Sequence, residues 1–223
     1  TPRANRVILA TRPKGSVMSF DKAIRDHLPK LGKSIDVAFM AGYHYAEPMN
    51  VDGRTFEEFM GDSVADLHAL KEDNPDLVAH FEYVPMKRPE LEPKMLQAIC
   101  QEIKSFGINE NEIKRVLREY GYEEEMEEIE RHERAYSLYK GALRLFGHME
   151  LDRIHVHNLG YYVMILSKPY PVSMVEVRQS CLFASAVNAM KAKYGGYVQR
   201  EQLAEAAELP LSDIGFAQLE GMV

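Results

Sequence analysis

The run Ile35-Asp-Val-Ala-Phe-Met-Ala41 constrains the fold more than any other stretch of the chain. It is almost continuously apolar and stops at Gly42, the pattern of a central strand in a parallel sheet covered on both faces. Short apolar runs recur at residues 6–11, 77–83, 105–108 and 151–157. Helical patterns lie between them. Residues 19–31 place Phe20, Ile24, Leu28 and Leu31 at helical spacing, with Ser19 as a cap. Residues 55–71 put Phe56, Phe59, Val64, Leu67 and Leu70 on one broad face, and residues 90–104 do the same with Leu91, Met95, Ile99 and Ile103. This alternation predicts the α/β class, a three-layer sandwich with a mostly parallel sheet flanked by helices.

The second half continues the pattern. Ser105-Phe-Gly-Ile-Asn-Glu-Asn-Glu112 reads as the end of a buried strand, a turn at Gly107 and a helix opening at Asn109, which Gly121 closes. Residues 123–148 read as one long helix. Its opening run of acids forms a solvated face favoured by the helix dipole, and its second half buries Tyr136, Leu138, Tyr139, Leu143 and Leu145. After the strand ending at His157, a tight connection at residues 158–160 leads to residues 159–167, an antiparallel or edge strand. Residues 173–193 form a helix with Ser180, Ala184, Ser185 and Ala189 on one side. The tail from Gly195 carries a weak helix over residues 199–208 and then loses its periodicity.

Composition excludes several classes. The 223 residues suffice for one α/β domain with a full core. A net charge of −7 gives no basic face for nucleic acid, and no apolar run reaches the ~18 residues of a membrane span. Cys100 and Cys181 both sit in apolar helical patterns, which predicts unbridged buried thiols in a reducing, cytoplasmic compartment. Thr1-Pro-Arg has no signal-peptide character, and it reads as an internal start rather than a natural one.

The polar residues that stand out lie at strand ends. His80 and Glu82 alternate on one strand face. Asn109-x-x-Glu112 is a capping box in its structural reading. If the strands ending at Glu82 and Asn109 are neighbours, Glu82, Asn109 and Glu112 converge at one carboxyl-terminal edge, where open α/β sheets bind ligands. In the functional reading they hold a hydrated Mg²⁺, which needs only one or two protein carboxylates. Gly42 and His44 begin a loop at the corresponding end of the first strand, a substrate-side position that Tyr45 and Glu47 share. His155-Val-His157 invites a zinc reading, against which stands a strand pair satisfied by backbone or substrate. Tyr161 and Tyr162 read either as core or edge residues or as a stacking platform. There is no P-loop motif, and Gly141 and Gly147 form no dinucleotide fingerprint.

Five segments together carry a resemblance. Pro2-Arg-Ala-Asn-Arg-Val-Ile, Val37-Ala-Phe-Met-Ala-Gly-Tyr43, His80-Phe-Glu82, Phe106-Gly-Ile-Asn-Glu-Asn-Glu-Ile113 and Arg153-Ile-His-Val-His-Asn-Leu-Gly-Tyr-Tyr162 follow one another in this order. In these segments the chain resembles the ADP-dependent glucokinase/phosphofructokinase family, sugar kinases of ribokinase-like fold. The resemblance implies transfer of the β-phosphoryl group of ADP to a hexose or hexose phosphate, leaving AMP. It also implies Mg²⁺ organised through waters by Glu82 and Glu112, with His80 and Asn109 in the same shell and His157 and Tyr162 beside the nucleotide base.

Members of that family are roughly twice as long as this chain, so the resemblance implies an incomplete large domain. The lid domain and the Gly-x-Gly-Asp loop bearing the catalytic base would lie outside it; Asp213-Ile-Gly-Phe does not match that loop. A partial sheet would expose an edge through which copies could associate. Two other readings stand beside the kinase: a non-catalytic, nucleotide- or partner-binding relic of the same fold, and a metal hydrolase built on His80, Glu82, His155 and His157.

Overall fold

The computed structural model describes residues 19–158, 160–210 and 212–222. They group into two compact units that divide between Lys104 and Ser105. The strand expected at residues 6–11 lies outside the described residues, as does Leu159 in the connection expected at 158–160.

The first unit contains helices α1 (Lys22–Arg25) and α2 (Leu28–Gly32), strand β1 (Val37–Met40), helix α3 (Phe56–Lys71), strand β2 (Val78–Glu82) and helix α4 (Glu92–Cys100). The single helix expected over residues 19–31 is broken in two. Pro29 has no amide hydrogen, and its ring would strike the carbonyl four residues back, so the helix restarts at Leu28. The cap is Asp21, which accepts from the Ala23 amide, rather than Ser19. Phe20, Ile24 and Leu31 are consequently exposed and only Leu28 is fully buried. Leu28 packs with Leu70 and Leu77, and a fully buried leucine is worth about 1.5–3 kcal/mol. The nearby Lys33–Asp73 ion pair is solvent-exposed and contributes about 0–1 kcal/mol. Apolar packing therefore holds α2 in place.

Strands β1 and β2 pair in parallel, with Met40 opposite Phe81. The expectation that the first run is covered on both faces is not met: Val37 is 41% and Phe39 78% exposed. What covers a strand depends on its neighbours, which the apolarity of the run does not encode. Helix α3 opens as the spacing predicts, with a reciprocal capping box between Thr55 and Glu58. Helix α4 is shorter than expected, because its last turn ends at Cys100 and leaves residues 101–104 as a turn.

The second unit contains β3 (Ser105–Asn109), α5 (Glu112–Glu119), α6 (Glu123–Arg131), α7 (Ala135–His148), β4 (Arg153–His157), β5 (Tyr162–Leu166), α8 (Met174–Tyr194), α9 (Arg200–Leu203) and α10 (Asp213–Glu220). Strand β3 pairs in parallel with β4, and β4 in antiparallel with β5, so β5 has the orientation expected of it. Gly107 is not a turn. It lies within β3 opposite His155, because a parallel ladder accepts glycine wherever φ stays extended. The turn comes instead at residues 110–111.

The long helix expected over residues 123–148 breaks at residues 132–134, and α6 and α7 fold against each other. Its acids are more than a solvated face: Glu125 meets Arg144 at 2.6 Å, Glu128 meets Lys140, and Glu130 meets Arg118 at 3.2 Å. Tyr136 and Leu143 are exposed, whereas Leu138 and Leu145 are buried. The tail has more order than its periodicity predicts, since Ser212 caps α10 and Gln218 accepts from the Ala135 amide at 2.9 Å. Cys100 is buried as expected, but Cys181 is only half-buried. Among the described residues no helix is long and apolar enough to cross a membrane.

Gly32 marks the closest approach of α2 to α3. A methyl group there would lie 1.8 Å from the Leu70 carbonyl oxygen, which is backbone and cannot rotate away. Gly32→Ala is therefore expected to lower stability by about 3 kcal/mol, read as a reduced midpoint in urea denaturation. An unchanged midpoint would contradict this packing.

Candidate active site

In the first unit the candidate residues stand at the carboxyl ends of β1 and β2. Gly42 follows β1 with φ of 95°, a left-handed conformation that side chains disfavour. It turns the chain into a short 3₁₀ turn, Tyr43–Tyr45. Tyr43 points inward, its ring 5.8 Å from those of Phe59 and Phe81. Burial pushes its phenol up to about 12, opposed by a hydrogen bond with Ser63 and reinforced by the charge of Asp66. His44 lies against Tyr45, with ring centroids 3.9 Å apart. On β2 the two-residue period puts His80 and Glu82 on one face, with Nε2 and Oε2 3.4 Å apart. His80 is buried, while the Glu82 side chain is 43% exposed.

Two loops at this end are tied together. The Lys87 amide donates to the His44 carbonyl at 3.3 Å, and Arg88 Nε donates to the Glu47 carboxylate at 2.6 Å. The Lys87 ammonium lies 4.3 Å from the centre of the Tyr45 ring. The sequence placed His44, Tyr45 and Glu47 on the loop after the first strand but gave no sign of their partners Lys87 and Arg88. Partners about forty positions apart leave no short-range pattern to find.

In the second unit, Asn109 ends β3. Its Oδ1 accepts from the amides of Asn111 and Glu112 at 2.9 Å each, and Glu112 Oε2 accepts from the Asn109 amide at 3.1 Å. The capping-box reading of Asn109-x-x-Glu112 is thus realised, and it fixes the Glu112 carboxylate at the strand end. The helix is assigned from Glu112 rather than Asn109, a boundary difference of the ordinary kind.

Strand register then brings three candidate residues together. Asn109 stands opposite His157, and His157 stands opposite Tyr162, so one row crosses β3, β4 and β5. His155 packs edge-on against both aromatic members of the row, with ring centroids 5.9 Å from His157 and 5.0 Å from Tyr162. Ser185 of α8 donates to the Tyr162 hydroxyl at 3.3 Å. Its place on the small-residue side of that helix was the only sequence signal for this contact. Beside the row, burial pushes the Tyr161 phenol up to about 12, helped by the charges of Glu133 and Glu110. Tyr161 therefore remains a neutral donor at physiological pH.

Among the described residues, no three His, Cys, Asp or Glu side chains come together as a metal-holding group. The zinc site of the hydrolase reading thus finds no ligand set there, and the two histidines pack as neighbouring rings. A hydrated Mg²⁺ asks for less, namely oxygen donors and only one or two carboxylates. Each unit offers one such carboxylate at a strand's carboxyl end, Glu82 in the first and Glu112 in the second. Each carboxylate by itself is the kind of oxygen donor that magnesium takes.

A model of the ADP-specific phosphofructokinase/glucokinase conserved region matches residues 1–213. The chain belongs to this family. It is 34% identical over 225 aligned positions to an ADP-specific phosphofructokinase of Methanosarcina acetivorans, covering 98% of this chain and 45% of that protein. A relative of the same description from Thermococcus kodakarensis is 25% identical, with 96% and 46% covered. This family member therefore spans about half the length of the curated relatives it matches. Among solved structures, the reconstructed last common ancestor of ADP-dependent phosphofructokinases from Methanosarcinales aligns with a TM-score of 0.84 at 32% identity, covering 92% of this chain and 42% of that one. An ADP-dependent kinase in complex with fructose-6-phosphate and ADPbetaS aligns with a TM-score of 0.83 at 32% identity, covering 91% and 45%. The ribokinase-like α/β fold expected from the sequence is borne out.

Asn109 holds two amides of the turn into α5. Asn109→Ala is expected to lower the stability of the chain by about 1 kcal/mol, measured by thermal denaturation at neutral pH. No loss would mean that the helix start is held by other contacts.

Proposed function

We propose that this chain supplies the metal-binding and nucleotide-binding part of an ADP-dependent sugar kinase. The reaction is transfer of the β-phosphoryl group of ADP to a hexose or hexose phosphate, with AMP as the other product. The observation that carries the reading is the row Asn109, His157, Tyr162, formed by the carboxyl ends of β3 and β4 and the amino end of β5, beside the Glu112 carboxylate. Support comes from relatives described as ADP-specific phosphofructokinases and from a similar structure that contains fructose-6-phosphate and ADPbetaS.

In this reading Glu82 and Glu112 hold Mg²⁺ through water molecules, with His80 and Asn109 completing the shell. Magnesium, when bound, neutralises charge on the phosphate oxygens, the main requirement of phosphoryl transfer. The Asn109 amide keeps the Glu112 carboxylate oriented, and the contact with Glu82 fixes one side of the His80 ring. His157 and Tyr162 offer an aromatic surface to the adenine. Gly42 and His44 face the sugar. Residues 1–223 contain no Gly-x-Gly-Asp segment. The exposed Val37 and Phe39 give β1 an apolar surface through which two copies associate, and the working compartment is the cytoplasm.

The substitution that isolates the metal role is Glu112→Gln. Glutamine serves a capping box as glutamate does, so the helix start survives while the charge is lost. With ADP, ATP, glucose and fructose 6-phosphate supplied in turn to the intact protein that carries this chain, ADP should be the donor used. Glu112→Gln should lower kcat by about two orders of magnitude and raise the Mg²⁺ concentration needed for half-maximal rate. Wild-type rates for the variant at limiting Mg²⁺ would remove Glu112 from the site. Failure of wild type to convert ADP to AMP with any hexose would leave the non-catalytic reading.

A further inference from the structure

Within the second unit, helix α8 reaches the row of candidate residues through one polar side chain. Ser173 and Glu176 form a reciprocal capping box at its start, and the helix runs for 21 residues to Tyr194. Along it Val177, Cys181 and Ser185 follow at intervals of four, so they share one side, and all three are half-buried. Leu182 and Phe183 face outward. A serine on the inward side is locally unfavourable, because alanine is the better helix former and hides no hydroxyl. The hydroxyl of Ser185 is in use.

It makes two contacts. Ser185 Oγ lies 2.9 Å from the Cys181 carbonyl one turn back, the back-bond of a helical serine, which sets its rotamer. It also lies 3.3 Å from the Tyr162 hydroxyl. Two hydroxyls meet there, so the proton between them can come from either side, and in each case the phenol oxygen is held. The Tyr162 ring meets His155 edge-on at 5.0 Å, and its backbone stands opposite His157 in the ladder. Strand β4 thus fixes the backbone and ring of Tyr162, and α8 fixes its hydroxyl.

We propose that Ser185 is a positioning residue for nucleotide binding, which fixes the plane of the Tyr162 ring so that the base meets a preset surface. This deepens the kinase reading and rests on its assignment of Tyr162 to the nucleotide base. A phenol held by its strand alone would turn about its side-chain torsions, and binding would have to stop that motion at an entropic cost. With Ser185 in place, most of that ordering is completed during folding. Ser185 acts through Tyr162, so it changes affinity for the nucleotide and leaves the transfer step alone.

Ser185→Ala removes the hydroxyl without adding bulk and keeps a good helix former. In the intact protein that carries this chain, the variant should bind AMP and ADP about 3- to 10-fold more weakly by isothermal titration. KM for ADP should rise by a similar factor while kcat at saturating ADP holds, and the thermal midpoint without nucleotide should not fall. Ser185→Thr, whose hydroxyl can make the same back-bond, should restore most of the affinity. Tyr162→Phe should weaken AMP binding to a similar extent, and adding Ser185→Ala to it should cause no further loss, since both act through one bond. Equal AMP and ADP affinity in wild type and Ser185→Ala would overturn the proposal. Fully additive losses in the double variant would also overturn it, because the serine would then act by another route. A lowered thermal midpoint with reduced kcat would likewise overturn it in favour of a structural role. Failure of wild type to bind either nucleotide would instead overturn the nucleotide reading on which the proposal rests.

Discussion

Parallel strand pairing is the constraint from which the placement of the candidate residues follows. Two parallel strands cannot be joined by a hairpin, so each must return through a crossover. Their carboxyl ends then emerge on the same side and open into loops and helix starts. In the first unit this brings the Gly42 turn and the end of β2 to one rim, so that His44, His80 and Glu82 all lie there. In the second unit it sets Asn109 opposite His157. Helices and antiparallel hairpins alone would not gather such residues at a single end.

The capping box at Asn109 and Glu112 has two consequences. Its hydrogen bonds satisfy amides that a helix start would otherwise leave exposed. The same geometry holds a carboxylate at the strand end with little rotational freedom. A structural cap and a fixed carboxylate therefore coexist in one residue pair, and finding the cap does not argue against a functional role. The backbone at Met86 and Lys87 follows similar logic, with the buried Glu92 carboxylate accepting from the Met86 amide and the His44 carbonyl accepting from the Lys87 amide. In both places hydrogen bonds to the main chain fix the segment that follows a strand.

Much of the local geometry at the candidate residues was visible because its components are local. The i, i+2 relation of His80 and Glu82 and the i, i+3 relation of Asn109 and Glu112 depend only on strand and helix periods. The antiparallel return after His157 was visible for a similar reason, since a short connection leaves little alternative. The errors came where a local pattern was interrupted. Pro29 ends a helix whose apolar spacing continues across it. Residues 132–134 break a helix whose composition shows no stop. Gly107 looks like a turn residue, yet it sits in a ladder.

The amino-acid order by itself determined the α/β class, the strand-end location of the polar residues and the two-residue partnerships, because each follows from backbone periodicity. Only the tertiary structure decided the register that aligns Asn109, His157 and Tyr162, the exposure of Phe39, and the joining of the loops around Lys87 and His44. Those features are contacts between segments far apart in the chain. They are set by how strands slide and loops meet during packing, and no single segment carries that information.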